Sequence, residues 1–216
     1  MTLIRDGRRV LGWVTLVAGL GASAAAVGLA VQSASPPADA GELPAAQPAA
    51  SAPAMSATRE PIREQVQEPP PWAAPSRIRI AGLRVDVPVQ AAGVRPDRAL
   101  DVPEDPERLG WWIGSATPGS PRGTVLVAGH VDTAEDGPGA LFRLETLPMG
   151  ARIEVRAGDR TVTYRAVARR SYDKQRLPDG LFAAGGPPRL ALVTCGGTFH
   201  KGVYSHNVVV YAEPVG

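Results

Sequence analysis

The hydrophobic pattern of the chain changes character twice. From Val10 to Val31 no residue is charged, and Arg5, Arg8 and Arg9 precede the stretch. As a helix it spans roughly 33 Å at about 1.5 Å per residue, enough for a hydrocarbon core of about 30 Å. The basic flank predicts a cytoplasmic tail over residues 1–9, a transmembrane anchor over 10–31, and the rest of the chain outside. A cleaved signal peptide is the alternative, because the stretch is rich in Ala and Gly and Ala38-Asp39-Ala40 is a small-x-small site. Both readings make the remainder extracytoplasmic. Residues 32–75 are dominated by Ala, Pro, Ser, Gln and Glu, with prolines at 36, 37 and 69–71. Such a segment buries too little apolar surface to offset chain entropy, so it reads as a disordered linker.

From residue 76 the pattern becomes one of short strands. Arg77–Ile80 and Arg84–Val89 alternate polar and apolar residues. Trp111–Ile113, Thr124–Ala128 and Leu190–Val193 are compact apolar runs, and Ala151–Arg156 and Thr161–Ala168 flank Gly158-Asp159, a hairpin signal. Asn207–Ala212 is the last strand. Short helical turns fit near 141–147 and at Leu181-Phe182. No helical stretch is long enough for a βαβ crossover. The fold class is therefore all-β, a sandwich or closed barrel, over residues 76–216.

Composition adds little until the single cysteine is considered. The net charge of +2 gives no broad electrostatic case for nucleic acid. One cysteine excludes an internal disulfide. Cys195 ends the apolar run Leu190–Val193 and Thr194, and Gly196-Gly197 are expected to break that strand. His130 likewise follows an apolar strand and a glycine. Only a few per cent of an ordinary thiol is ionised at neutral pH, and an imidazole can take its proton and return it to a leaving amine. Cys195 as nucleophile and His130 as its acid–base partner suit acyl transfer through a thioester. The carboxylates do not cluster at metal-ligand spacing, and no cofactor is called for.

The words around these residues are more specific than their spacing. Val125-Leu-Val-Ala-Gly-His130-Val-Asp-Thr133 and Leu190-Ala-Leu-Val-Thr-Cys195 closely resemble the histidine and cysteine motifs of sortases, the cysteine transpeptidases of Gram-positive bacteria. Ile80–Val89 looks like the family's opening strands and Gly110–Gly119 like its pre-histidine segment. Asn207–Val215 looks like the actinobacterial branch called class F, with class E as second choice. The resemblance covers residues 77–216. It implies a sortase-type closed barrel of about eight strands with Cys195 and His130 facing one groove. It implies cleavage of an LPxTG-like sorting signal between Thr and Gly. The acceptor would be an amine, such as a peptidoglycan cross-bridge or a pilin lysine, or else water. An L,D-transpeptidase does not fit, since that family places a His close before its Cys and this chain has Val193-Thr194 there.

One departure stands out. Sortases carry an Arg on the last strand, within Tyr-Arg-Asp-Asn in this branch. Here the segment reads Tyr204-Ser205-His206-Asn207. Removing one oxyanion donor commonly costs about 10² to 10³ in rate. Ser205, His206 and Thr194 are the candidates for oxyanion or substrate binding, with His200, Lys201 and Arg189 as further nearby cations. His206 neighbours residue 205 on a strand and so should face the other way. Three readings stay open: another cation substitutes, Ser205 and backbone donors suffice for slow turnover, or the domain binds sorting peptides without turning them over. Asp132 and Thr133 orient His130 or shape a turn, and Trp111 and Trp112 read as core and barrel rim.

Overall fold

A computed structural model describes residues 37–43, 73–95 and 100–215 of the 216-residue chain. The predicted anchor at residues 10–31 lies outside them. Among the described residues no helix is long and apolar enough to cross a membrane. The described residues form eleven strands in chain order: β1 (Ala40–Gly41), β2 (Pro75–Ile80), β3 (Val85–Ala92), β4 (Leu109–Trp112), β5 (Thr124–Ala128), β6 (Asp132–Thr133), β7 (Gly137–Pro138), β8 (Arg152–Ala157), β9 (Arg160–Asp173), β10 (Arg189–His200) and β11 (Val203–Pro214). Short 3-10 turns lie at Ala81–Leu83, Leu144–Thr146 and Asp179–Leu181.

Nine strands form one sheet in the order β1-β9-β11-β10-β5-β4-β3-β2-β8, and β8 pairs again with β9. Without the two-residue β1, the eight remaining strands close into a barrel, which leaves the sheet few free edges. Most neighbours are antiparallel, but β5 runs parallel to β10 and β3 parallel to β4. All five residues of β5 are buried. Val125 and Val127 point into the barrel core, with Leu190 and Leu192 of β10 and Val210 and Ala212 of β11. Leu126 and Ala128 join a second core on the other face, with Ala191, Val193, Val209, Tyr211 and Leu181. A strand covered on both faces cannot alternate apolar with polar, which is why β5 and β10 read as continuous apolar runs.

Three features differ from the sequence expectation. Gly196 and Gly197 do not end β10. The strand continues to His200 and absorbs the glycines in a register shift between Gly196 and Phe199. Gly197 has φ +79°, and a Cβ there would stand 2.5 Å from Ser205 Oγ, so this position requires glycine. Next, β9 runs past Ala168 to Asp173 through a polar stretch. Last, part of the supposed linker is structured. Ala40 and Gly41 add a short strand to the edge of β9. Arg169 and Arg170 donate to the carbonyls of Ala38, Ala40 and Gly41, and Asp39 Oδ1 accepts from the Ser171 amide at 2.9 Å. The small-x-small triplet thus covers a sheet edge.

Leu192 has no exposed surface and packs in the barrel core. Truncating it leaves a cavity beneath the strand that carries Cys195. Leu192→Ala is expected to lower unfolding free energy by about 2–5 kcal/mol in a urea titration, with the slope unchanged.

Candidate active site

The parallel pairing of β5 and β10 puts their carboxyl ends on the same rim. The last paired row is Ala128 with Val193. One residue further, the Gly129 amide donates to Val193 O at 3.1 Å, and Thr194 Oγ1 donates to Gly129 O at 2.9 Å. These bonds hold register up to the two reactive residues. Side chains two apart share a face. Ala128 and Val193 both belong to the outer core, so His130 and Cys195 continue the outer face of the barrel. Gly129 permits this approach, because a Cβ there would stand 2.4 Å from Leu109 Cδ2.

Register assembles the rest of the site. Cys195 lies opposite Asn207 on β11, and Asn207 lies opposite Tyr172 on β9. Lys174 is two residues beyond Tyr172 and so falls on the same face. Its ammonium donates to Cys195 Sγ at 2.7 Å and to Asn207 Oδ1 at 3.1 Å. Asn207 Nδ2 donates back to Lys174 O at 2.9 Å, and the Lys174 amide donates to Ser205 O at 3.0 Å. Cys195 is half-buried and reduced, and Asn207 is buried. Sequence reasoning missed Lys174. It follows a polar stretch with no strand signal, and only the pairing of β9 with β11 brings it to the cysteine.

His130 is half-buried on this rim. The expectation that it would hold the thiol proton meets a different arrangement: Lys174 donates to Sγ, and His130 Nε2 bonds Pro103 O at 2.8 Å. A carbonyl only accepts, so Nε2 carries hydrogen and Nδ1 is the acceptor of the neutral ring. Leu100 and Val102 pack on the outer core just before Pro103. The 100–103 segment thereby walls the histidine side, and the connection after β9, with Leu177 and Leu181, walls the other.

The remaining candidates take other roles. Thr194 points into the barrel side of β10, is buried, and uses its hydroxyl to pin Gly129, so it is not placed for substrate. Ser205 is exposed, and its Oγ accepts from the Thr198 amide at 2.9 Å and lies 2.7 Å from His206 Nδ1. His206 faces away toward Asp173, with Nε2 3.5 Å from a carboxylate oxygen. Neither is the group on Cys195. Lys201 and His200 sit at the tip of the β10–β11 hairpin, and Arg189 opens β10 at its far end. Thr133 shapes a turn, its Oγ1 accepting from the Asp136 amide at 2.9 Å. Asp132 does more than turn the chain: Tyr204 OH donates to its Oδ2 at 2.6 Å. Trp111 is buried with Nε1 donating to Ala116 O, and Trp112 meets Phe182 edge-on at the rim.

A cleft of about 250 Å³ opens beside these residues, with Val131, Phe142, Glu145, Gly196, Gly197 and Tyr204 among its walls. Val131 follows His130 and Gly196 follows Cys195, so the walls of the cleft adjoin both residues along the chain, and neither reactive side chain lines it. The Tyr204 hydroxyl is pushed up to about 12 by burial first, then by its bond to Asp132, that carboxylate's charge, and Cys195. A raised phenol keeps its proton in the folded state while the unfolded chain ionises near pH 10, so its contribution to stability is lost as pH rises from about 10 to 12. In an ultraviolet titration, the difference between the native chain and Tyr204→Phe is expected to show one phenol ionising near pH 12. Asp132→Asn should bring that step toward pH 10.

The sortase domain model matches residues 78–215. Among solved structures the chain is similar to sortase C-1 from Actinomyces oris, at 23% identity and a TM-score of 0.51, covering 65% of this chain and 73% of that one. It is similar to sortase C1 from Streptococcus agalactiae at 22% identity and a TM-score of 0.50, covering 65% and 67%. It is also similar to sortase A from Corynebacterium diphtheriae at 20% identity and a TM-score of 0.51, covering 67% and 62%. Among curated protein sequences none matches. A match spanning more than half of the chain, with barrel closure and a cysteine and histidine just beyond the last paired row of two parallel strands, settles the assignment: the chain belongs to the sortase family.

Proposed function

We propose that the chain is a membrane-anchored cysteine transpeptidase acting on an LPxTG-like sorting signal. The observation that carries this reading is the parallel β5–β10 pair, which brings His130 and Cys195 to one face just beyond its last paired row. The Cys195 thiol gives its proton to His130 Nδ1 and its sulfur attacks the Thr carbonyl of the signal, forming a C–S bond as the carbonyl pair moves onto oxygen. The intermediate collapses, the C–N bond breaks, and the departing Gly amine takes a proton from His130. His130 Nδ1 is the ring atom left to exchange that proton while Nε2 remains on Pro103. An incoming amine, from a peptidoglycan cross-bridge or a pilin lysine, gives a proton to His130 and displaces the sulfur as thiolate, which His130 can reprotonate. Water in its place gives hydrolysis.

Residues 10–31 are the anchor in this reading, with the barrel outside the cell membrane. The words of Asn207–Val215 support a class F-like member, with class E second. A sortase-like module that binds sorting peptides without turnover is the rival, favoured by Ser205 at the position of the expected arginine and by its engagement with Thr198.

Purified full-length chain incubated with an LPxTG-type peptide library and an amine is expected to accumulate an acyl adduct on Cys195, read by intact mass. Cys195→Ala should abolish the adduct and product while retaining peptide. His130→Ala should lower turnover by about 10² to 10⁴. Peptide binding in both native chain and Cys195→Ala, with no adduct or cleavage in either, would establish the rival.

A further inference from the structure

The structure provides a cation for Cys195 that no motif pointed to. A thiolate attacking a carbonyl carries one negative charge from sulfur to oxygen, and a fixed positive donor beside both atoms stabilises each stage. Ser205 cannot supply it, being neutral and bound to the Thr198 amide. His206 turns to Asp173. Lys174 is on the correct face, at hydrogen-bond distance from the sulfur.

We propose that Lys174 is a catalytic residue that holds the Cys195 thiolate and then donates to the oxyanion. This rests on the acyl-transfer reading above for its second half only. An ammonium has three donor hydrogens and no acceptor. Two are committed, one to Cys195 Sγ and one to Asn207 Oδ1. The third has no acceptor among the described residues and is available to the oxygen of a carbonyl attacked by that same sulfur. Lys174 remains protonated throughout: it exchanges one hydrogen-bond acceptor for another as the C–S bond forms, and His130 alone carries the transferred proton.

The placement is built into the fold. The Lys174 backbone is tied at both ends, its amide to Ser205 O and its carbonyl to Asn207 Nδ2. Asn207 thus holds both the main chain and the ammonium of Lys174, from a buried position between β9 and β10. A long side chain loses rotamer freedom when fixed, and here that loss falls on folding, before a substrate arrives. Asn207 is accordingly a positioning residue.

The test needs no peptide in its first arm. Full-length native chain, Lys174→Met, Lys174→Gln and Lys174→Arg are alkylated at pH 7 with iodoacetate, an anion, and iodoacetamide, its neutral counterpart. Rates are read by mass at Cys195. The native chain is expected to react with iodoacetate more readily, relative to an unstructured thiol, than with iodoacetamide. Met and Gln should reduce this anion preference on the order of tenfold, and Arg should restore most of it. In the second arm, Lys174→Met should lower kcat for peptide by about 10² with a smaller change in KM. Equal anion preference in all four proteins, each with a native-like thermal transition, would overturn the assignment. So would loss of preference in the Arg variant alongside Met and Gln. A Lys174-dependent preference in a chain that cleaves no peptide would keep the thiolate role and overturn both the oxyanion role and the transpeptidase reading.

Discussion

The site depends on one pairing. The strand β5 and the first half of β10 run side by side in the same direction and are buried on both faces. In an antiparallel pair the carboxyl ends would lie at opposite rims, and His130 and Cys195 would be separated by the length of a strand. A parallel pair requires a long return, and here the chain between Ala128 and Arg189 makes it through β8 and β9. That return brings the end of β9 to the rim, and with it Lys174. The same constraint that aligns cysteine and histidine therefore delivers the cation.

The outer face is a core in its own right. Leu100 and Val102 cover it on the histidine side, and Leu177 and Leu181 on the other, so reactive groups on this face are sheltered without being enclosed. Tyr204 and Asp132 clamp the β10–β11 hairpin to the chain just after His130. Burial and a neighbouring carboxylate both keep that phenol protonated, so the clamp stays a neutral donor to a charged acceptor across ordinary pH. The clamp lies beside the cleft and fixes its wall. It also explains why the residues following the histidine matter beyond their turn.

Much of the barrel was legible because burial writes itself into apolar runs. Thr124–Ala128 and Leu190–Val193 are strands in the sequence and in the structure, and His130 and Cys195 each follow the apolar run by two residues. The illegible part is where strands leave the core. Arg169 to Asp173 is polar because its edge is covered by the chain at Ala38–Gly41, which contributes carbonyls and the Asp39 carboxylate in place of apolar cover. Gly196 and Gly197 look like a break because a bulge needs the same residues as a turn. Both misreadings fall beside the site: Lys174 directly follows the extension of β9, and Ser205 lies on β11 across from the bulge in β10. The anchor at residues 10–31 is a statement about hydropathy, and the described residues begin beyond it.

On the proposed reading, geometry supplies a second route for a cation to reach Cys195 with serine at position 205. β11 lies between β10 and β9, so a side chain reaching Cys195 can arrive along β11 itself or across it from β9. An arginine brings a planar fork that meets an oxyanion with two parallel donors. A lysine is a compact charge with rotatable donors and no built-in direction, so it needs a neighbour to aim it. Asn207 is that neighbour: it accepts from the ammonium and donates to the same residue's carbonyl. Once the cation comes from β9, residue 205 is free of the task. Its hydroxyl then serves the hairpin, accepting from Thr198 at the bulge that Gly197 makes possible. The serine is thus consistent with a relocated charge, and the lysine and the asparagine that aims it are one device.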